Sequence, residues 1–249
     1  TFAHGMFEAV YDYPYLSSSA NHIFDITAGY SSESSLSSSD NTQNAKKINI
    51  YNQHAQVLAG YDATGSIQQF DTDGNIVAGD DKMKECFFIN FARLLTKDEI
   101  KKGSFVLDLY TSGTQVHGVN NRLSMKPFGD YGASTDYKVN SPAGEYGLLY
   151  TASSEPKGEV MGHIYYQAGI VVLTASACSG AFGDPEDVPV GAIGKAKPAV
   201  DYALTASTIT SIANGFRFPI DSIDFNNTTE LNSTIYFCRA STQDYNYSA

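Results

Sequence analysis

Apolar and polar positions along the chain arrange themselves mostly into short strand-like runs divided by turn residues, and two stretches carry a helical period instead. Residues 48–61 place Ile50, His54, Val57 and Leu58 near helical spacing before Gly60, which predicts a short helix. Residues 199–214 repeat apolar positions at Val200, Leu204, Ile209 and Ile212 and reach Asn214-Gly215, a pair suited to a helix C-terminus, so a second helix is expected there. Between them, residues 86–95 read as a buried strand. Thr96-Lys-Asp-Glu99 then has the form of a capping box opening one helical turn that ends at Gly103. Residues 104–110 resume as strand up to a turn at Thr111-Ser-Gly113. Residues 144–150, 161–166 and 169–174 are three apolar runs punctuated by Gly and Pro, the pattern of an antiparallel meander. Asp71-Thr-Asp-Gly-Asn75 offers the positive-φ residues of a tight hairpin turn. Residues 116–142 are expected to form loops around short strands and residues 180–197 a loop. Residues 216–225 partly alternate and residues 233–239 make a strong β run, so the chain is expected to end in sheet.

The first residues have a different character. Phe2, Phe7, Tyr11, Tyr13 and Tyr15 crowd a segment broken by Pro14, which reads as an extended arm or edge strand whose rings need a neighbour to bury them. These five residues are the candidate subunit contacts. Seven of the nine residues 31–39 are serine and the polar stretch runs on to Asn44, which predicts a mobile surface loop or linker. The expected organisation is an N-terminal aromatic arm and Ser-rich linker over residues 1–47 and a β-rich core domain over residues 48–249. The 17 Tyr, 14 Phe and 21 Gly suit pleated surfaces joined by turns. The fold class is therefore mainly β, antiparallel sandwich-like sheets with one or two short helices, with α+β as the alternative.

Charge and motifs narrow the chemistry. A formal charge of −11 repels nucleic-acid phosphates and anionic membranes, and the basic clusters are only short pairs (Lys46-Lys47, Lys101-Lys102, Lys195/Lys197), so neither nucleic acid nor membrane is expected as a partner. The longest apolar run, residues 168–173, has the length of a strand and falls far short of a bilayer span. Cys86, Cys178 and Cys238 lie apart beside apolar neighbours and read as buried thiols. His4, His22, His54, His117 and His163 form no paired metal-ligand motif, and Asp71, Asp73 and Asn75 start like a calcium loop but place Gly at the wrong position and Lys82 where the closing Glu belongs. The carboxylate pairs Asp80-Asp81, Asp98-Glu99, Asp184/Glu186/Asp187 and Asp221/Asp224 read as solvated loop charges. Sequons at Asn226, Asn227, Asn232 and Asn246 arise easily in so Asn- and Thr-rich a segment. No nucleophile elbow, phosphate loop or dinucleotide fingerprint is present. The expectation is a chain that is not an enzyme, with no catalytic, cofactor-binding or metal site.

Several phrases carry a family resemblance: Ile50-Tyr-Asn-Gln-His-Ala-Gln-Val-Leu-Ala-Gly-Tyr-Asp62; residues 88–109; Tyr146-Gly-Leu-Leu-Tyr150 together with Gly169-Ile-Val-Val-Leu173; and Phe237-Cys-Arg-Ala-Ser-Thr-Gln-Asp-Tyr-Asn-Tyr-Ser248. Over most of residues 48–249 the chain resembles a module of virion structural proteins from large contractile-tailed bacteriophages. That resemblance implies a subunit of the tail, baseplate or neck, assembled in the host cytoplasm into the virion. Its partners would be other virion proteins and further copies of itself in a symmetric assembly, and further chain would follow Ala249. The alternative is a receptor- or carbohydrate-binding β domain whose Tyr11/Tyr13/Tyr15 or Tyr131/Tyr137 stack on sugars; an unrecognised glycan hydrolase is a minor third.

Overall fold

The structure is a computed structural model that describes residues 5–12, 19–75, 81–116, 119–153, 157–178, 199–229 and 233–239. Its centre is a meander of apolar strands. In β5 (Glu85–Phe91), Cys86 and Phe88 point to one face and Phe87, Ile89 and Phe91 to the other, all buried. β12 (Ile170–Thr174) pairs antiparallel with β5, β11 (Val160–Tyr165) with β12, and β10 (Gly144–Tyr150) with β11. On the other side of β5 lies β2 (His22–Tyr30) and then β1 (Glu8–Tyr11). The register lines up one row of side chains across five strands, Thr27, Phe88, Val172, His163 and Leu148. The next row, on the opposite face, is Ala28, Phe87, Leu173, Gly162 and Leu149.

Beyond β10 the ten-stranded sheet continues through β8 (Val119–Gly129) and β7 (Val106–Val116) to β13 (Ile220–Asp224), and β9 (Lys138–Ser141) pairs with β10 off this path. The far end curls back over the middle: the Phe91 ring of β5 lies 6.1 Å from Phe105, just before β7, and 5.0 Å from Phe225, just after β13. Mainly β, antiparallel and sandwich-like is thus the architecture, with 38% strand against 21% helix.

Both faces of the central strands need covers. On the face of Phe88 the cover is α1 (Asn44–Leu58) together with the small hairpin of β3 (Phe70–Asp71) and β4 (Lys82–Met83). Helix α1 buries Lys47, Ile50, Tyr51, Ala55 and Leu58, one face at helical spacing. It sits directly on β2 at Gly29, where a Cβ would lie 2.5 Å from the Lys47 carbonyl oxygen and 2.9 Å from the Tyr51 nitrogen. On the face of Phe87 the cover is α3 (Ala199–Ala206) and α4 (Ile209–Arg217), with Phe216 stacked on Phe87 at 4.3 Å.

The two covers are tied together. Lys47 is fully buried and its Nζ donates to the carbonyls of Leu204 and Ser207 at 2.6 and 2.8 Å, at the C-terminal end of α3 where a cation is favoured. Desolvation brings its pKa down to about 8. Next to it, the Ile209 N–H that opens α4 donates to Gln43 Oε1 at 2.9 Å.

Several expectations are corrected. The predicted helix over 48–61 is α1, starting earlier; Val57 faces solvent and Tyr51 and Ala55 take the core. The capping box starts no helix. The helical turn precedes it as α2 (Arg93–Thr96), Lys97 has φ 53, and Glu99–Ile100 is a strand, β6. Thr111-Ser-Gly113 is no turn but part of β7, and the expected loops of 116–142 contain the 11-residue β8. The helix over 199–214 is two helices broken at Ser207-Thr208, where the Thr208 side chain accepts from the Ser211 N–H; Asn214-Gly215 lies inside α4. The Ser-rich stretch is packed: Ser31, Ser34 and Leu36 are buried, and Ser34 Oγ bonds the Glu85 carboxylate. β2 before it pairs with β5 after it, and β1 with β2, so these two strands belong to the same sheet as the central meander. The expected loop 180–197 lies outside the described residues.

Because Gly29 has an ordinary φ, Gly29→Ala tests packing alone. We expect it to push α1 off β2 and cost about 1–3 kcal/mol, read as a lowered urea midpoint with unchanged slope.

Candidate functional site

Where the fold stops pairing is where it can meet something else. The ten-stranded sheet ends at β1 on one side and β13 on the other, each hydrogen-bonded to one neighbouring strand among the described residues. At β1, Phe7 is half-buried with its ring 6.2 Å from His54, and Tyr11 is exposed with its ring 5.6 Å from His22. Of the five candidate contacts these two are placed at the edge strand and share it; Phe2, Tyr13 and Tyr15 lie outside the described residues.

The other end carries more apolar surface. A groove of about 320 Å³ runs between Ile223, Asp224, Phe225 and Asn227 on one wall and Ile23, Phe24, Phe91 and Leu95 on the other. Leu94 beside it is 90% exposed. Past β13 the chain turns onto another partner: β14 (Asn227–Thr228) pairs with β6, the Lys101 N–H donates to the Asn226 carbonyl at 2.8 Å, and Asn227 Nδ2 donates to the Leu95 carbonyl at 2.9 Å.

Residues 233–239 then follow without secondary structure and fully on the surface. Ile235, Tyr236 and Phe237 are 74, 83 and 94% exposed. The expected strand over 233–239 is corrected here: the β-forming run pairs with no strand among the described residues. Cys238 is exposed with it, whereas Cys86 and Cys178 are buried as expected. The long β7/β8 hairpin is a third projecting feature. Beyond Tyr110 and Met125 its strands pair, among the described residues, with each other alone, since β13 reaches no further than Leu109 and β10 meets β8 at Gly129.

A buried polar cluster lies under the β3/β4 hairpin. Asp71-Thr-Asp-Gly-Asn75 does turn, with the Gly74 N–H on the Asp71 carbonyl at 3.1 Å, but not as the expected tight hairpin: Asp71 pairs with Lys82, so residues 72–81 separate the two strands. The Lys82 ammonium takes the Asp71 carboxylate, the place a cation would have. The single proton of Tyr146 Oη has two acceptors in reach, the Gly74 carbonyl at 2.9 Å and Asn140 Oδ1 at 2.8 Å, and burial raises its pKa. His163, in the apolar row beside Val172, turns Nε2 toward the Asp71 and Thr72 backbone without a well-formed hydrogen bond. Desolvation lowers its pKa to about 4, so the ring is neutral at ordinary pH. The nearby depression of about 360 Å³ is lined by Ala59, Gly60, Tyr61, Gln68, Asn75, Asn140 and Pro142, which offers amides and one phenol but no carboxylate or amine for proton transfer. Among the described residues no three His, Cys, Asp or Glu side chains gather as a metal site would require.

Of the tyrosines expected to stack on sugars, Tyr131 and Tyr137 have neighbours in their own chain. The Tyr131 ring lies over Gly129, and the Tyr137 ring has the Lys102 ammonium 5.0 Å from its centroid. The sequence pointed to an aromatic edge strand and missed the exposed segment and its groove. The available signal was a β run of Ile, Tyr and Phe following a strand already committed elsewhere. Compared with protein-family models, curated proteins and solved structures, the chain matches none of them.

The buried histidine makes an acid-sensitivity prediction. As pH falls below about 6.5 the unfolded chain takes up a proton that folded His163 refuses until about 4, so stability present at neutral pH is lost between those values. We expect the stability advantage of wild type over His163→Phe to shrink by about 2–3 kcal/mol from pH 7 to pH 4, measured by urea titration at each pH.

Proposed function

We propose that this chain is a structural subunit of a repeated protein assembly, acting through protein-protein contacts and not through catalysis. The observation that carries the reading is the exposed apolar run Ile235–Phe237 on a chain whose other large apolar side chains are mostly buried. An uncovered stretch of Ile, Tyr and Phe is the kind of surface that another chain completes. The resemblance of its phrases to those of virion proteins of contractile-tailed phages supports assigning that assembly to a tail, baseplate or neck, with other virion proteins and further copies as partners. The acidic charge of −11 is compatible with this, because it disfavours nucleic acid and anionic membrane as the thing bound.

Sedimentation velocity of the purified chain tests the reading. We expect reversible self-association at micromolar concentration that weakens about tenfold or more in Ile235→Ser and in Phe237→Ser, because each loses an apolar side chain's burial. Thermal midpoints of both variants should equal that of dilute wild type, since neither side chain touches the core. A wild-type chain that stays monomeric at high concentration, alone and with its virion partners, defeats the proposal.

A further inference from the structure

We infer that Lys82 and Asp71 become joined by a spontaneous amide bond once the chain has folded, Lys82 Nζ to Asp71 Cγ, with Asp73 carrying the protons. The inference is independent of the assembly reading above and concerns the small hairpin of β3 and β4.

The hairpin brings three groups together. Asp71 and Lys82 stand directly opposite each other in the ladder, the last pair before the loop of residues 72–81. Lys82 Nζ donates to Asp71 Oδ2. The Asp73 carboxyl lies within hydrogen-bond reach of the Asp71 carboxyl, and the Asp73 N–H donates to Asp71 Oδ1 at 3.3 Å. Asp73 is itself fixed by Asn75, whose N–H and Nδ2 donate to its two carboxylate oxygens at 3.1 and 2.6 Å. An amine, a carboxyl carbon and a second carboxylate are thus placed by the ladder and the turn, and placement of this kind acts as an effective concentration of about 10⁵ M or more.

The surroundings separate this contact from the other lysine–carboxylate contacts among the described residues. Lys102 meets Glu99 and Glu145, which are 16 and 33% exposed, whereas the Asp71 side chain is 2% exposed. Tyr146 Oη reaches the Gly74 carbonyl, His163 turns Nε2 toward the Asp71 backbone, and both rings are buried, so water has little access from beneath. An ammonium and a carboxylate kept here are two desolvated charges; an amide in their place carries none. Burial first, and the Asp73 carboxylate second, raise the Asp71 pKa against the pull of Lys82. The Asp73 pKa is lowered by its bonds to Asp71 and Asn75, so a proton shared by the two acids rests on Asp71. That matters because an amine attacks the carbon of a carboxylic acid far more readily than that of a carboxylate.

The step balances without another reagent: ammonium and carboxylate become amide and water. Of the three ammonium protons, one passes to the Asp71 carboxyl by way of Asp73, and the Nζ electron pair then attacks Cγ. A second is carried by Asp73 to the hydroxyl that Cγ expels, which leaves as water, and the third stays on the amide nitrogen. One N–C bond forms, one C–O bond breaks, and Asp73 ends as it began. The bond closes residues 71–82 into a ring at the mouth of a hairpin that has only two residue pairs, Phe70 with Met83 and Asp71 with Lys82. The cover over His163 is then held by more than that short ladder.

The test is the intact mass of the full chain, unfolded in denaturant to remove non-covalent contacts. Wild type is expected to weigh one water less than its sequence, and trypsin should fail to cut after Lys82. A second protease that cuts between residues 71 and 82 should then release a branched peptide holding both. Lys82→Arg keeps a cation opposite Asp71 and is expected to show the full sequence mass. Asp73→Ala is expected to slow the loss of water about a hundredfold, followed from cell-free synthesis onward. Wild type at full sequence mass after prolonged incubation at neutral pH overturns the inference, whether or not the variants fold. So does a missing water that maps to a linear peptide, the result that a succinimide at Asp73-Gly74 gives. A branched peptide that forms in Asp73→Ala at the wild-type rate overturns the role of Asp73.

Discussion

The arrangement follows from one constraint: the central strands are apolar on both faces. Cys86 and Phe88 on one side of β5, and Phe87, Ile89 and Phe91 on the other, leave no face for water, and β12 repeats the pattern with Val172 against Val171 and Leu173. Antiparallel sheets commonly wet one face. This one cannot, so it needs two covers. Helix α1 lies on one side close enough that only a hydrogen at Gly29 fits, and α3 with α4 lies on the other together with the curled far end of the sheet. Lys47 is what makes the two covers one structure. Its stem is buried with α1 while its ammonium holds the carbonyl ends of α3. A buried ammonium without a carboxylate is costly, and the lowered pKa records that cost. The two carbonyl contacts and the helix terminus offset part of it.

What the sequence revealed, and what it hid, divides along local and non-local lines. The meander of β10, β11 and β12 was readable because Gly and Pro mark its turns and its apolar runs have strand length. The helix α1 was readable by period but not by face: Val57 and Tyr51 are both apolar, and only packing on Gly29 decides which one is buried. The capping box at Thr96 was a sound local signal that lost to tertiary pairing, because Glu99 and Ile100 pair with Thr228 and Asn227, more than a hundred residues away. The β7/β8 ribbon escaped for another reason. Its outer half pairs strand to strand through backbone bonds and has no third strand beside it, so it needs no alternating apolar face to announce it.

The candidate site shows the limit of propensity more sharply. Residues 233–239 have the composition of a strand, and composition reports a preference for extended backbone without saying which chain supplies the other half of the ladder. Among the described residues the other runs of comparable apolar content are paired strands. The separation has a physical consequence. Because Ile235, Tyr236 and Phe237 make no contribution to the core, their identity is decoupled from the stability of the fold, whereas Phe225, packed against Phe91 and Phe105, serves the core and the groove wall at once.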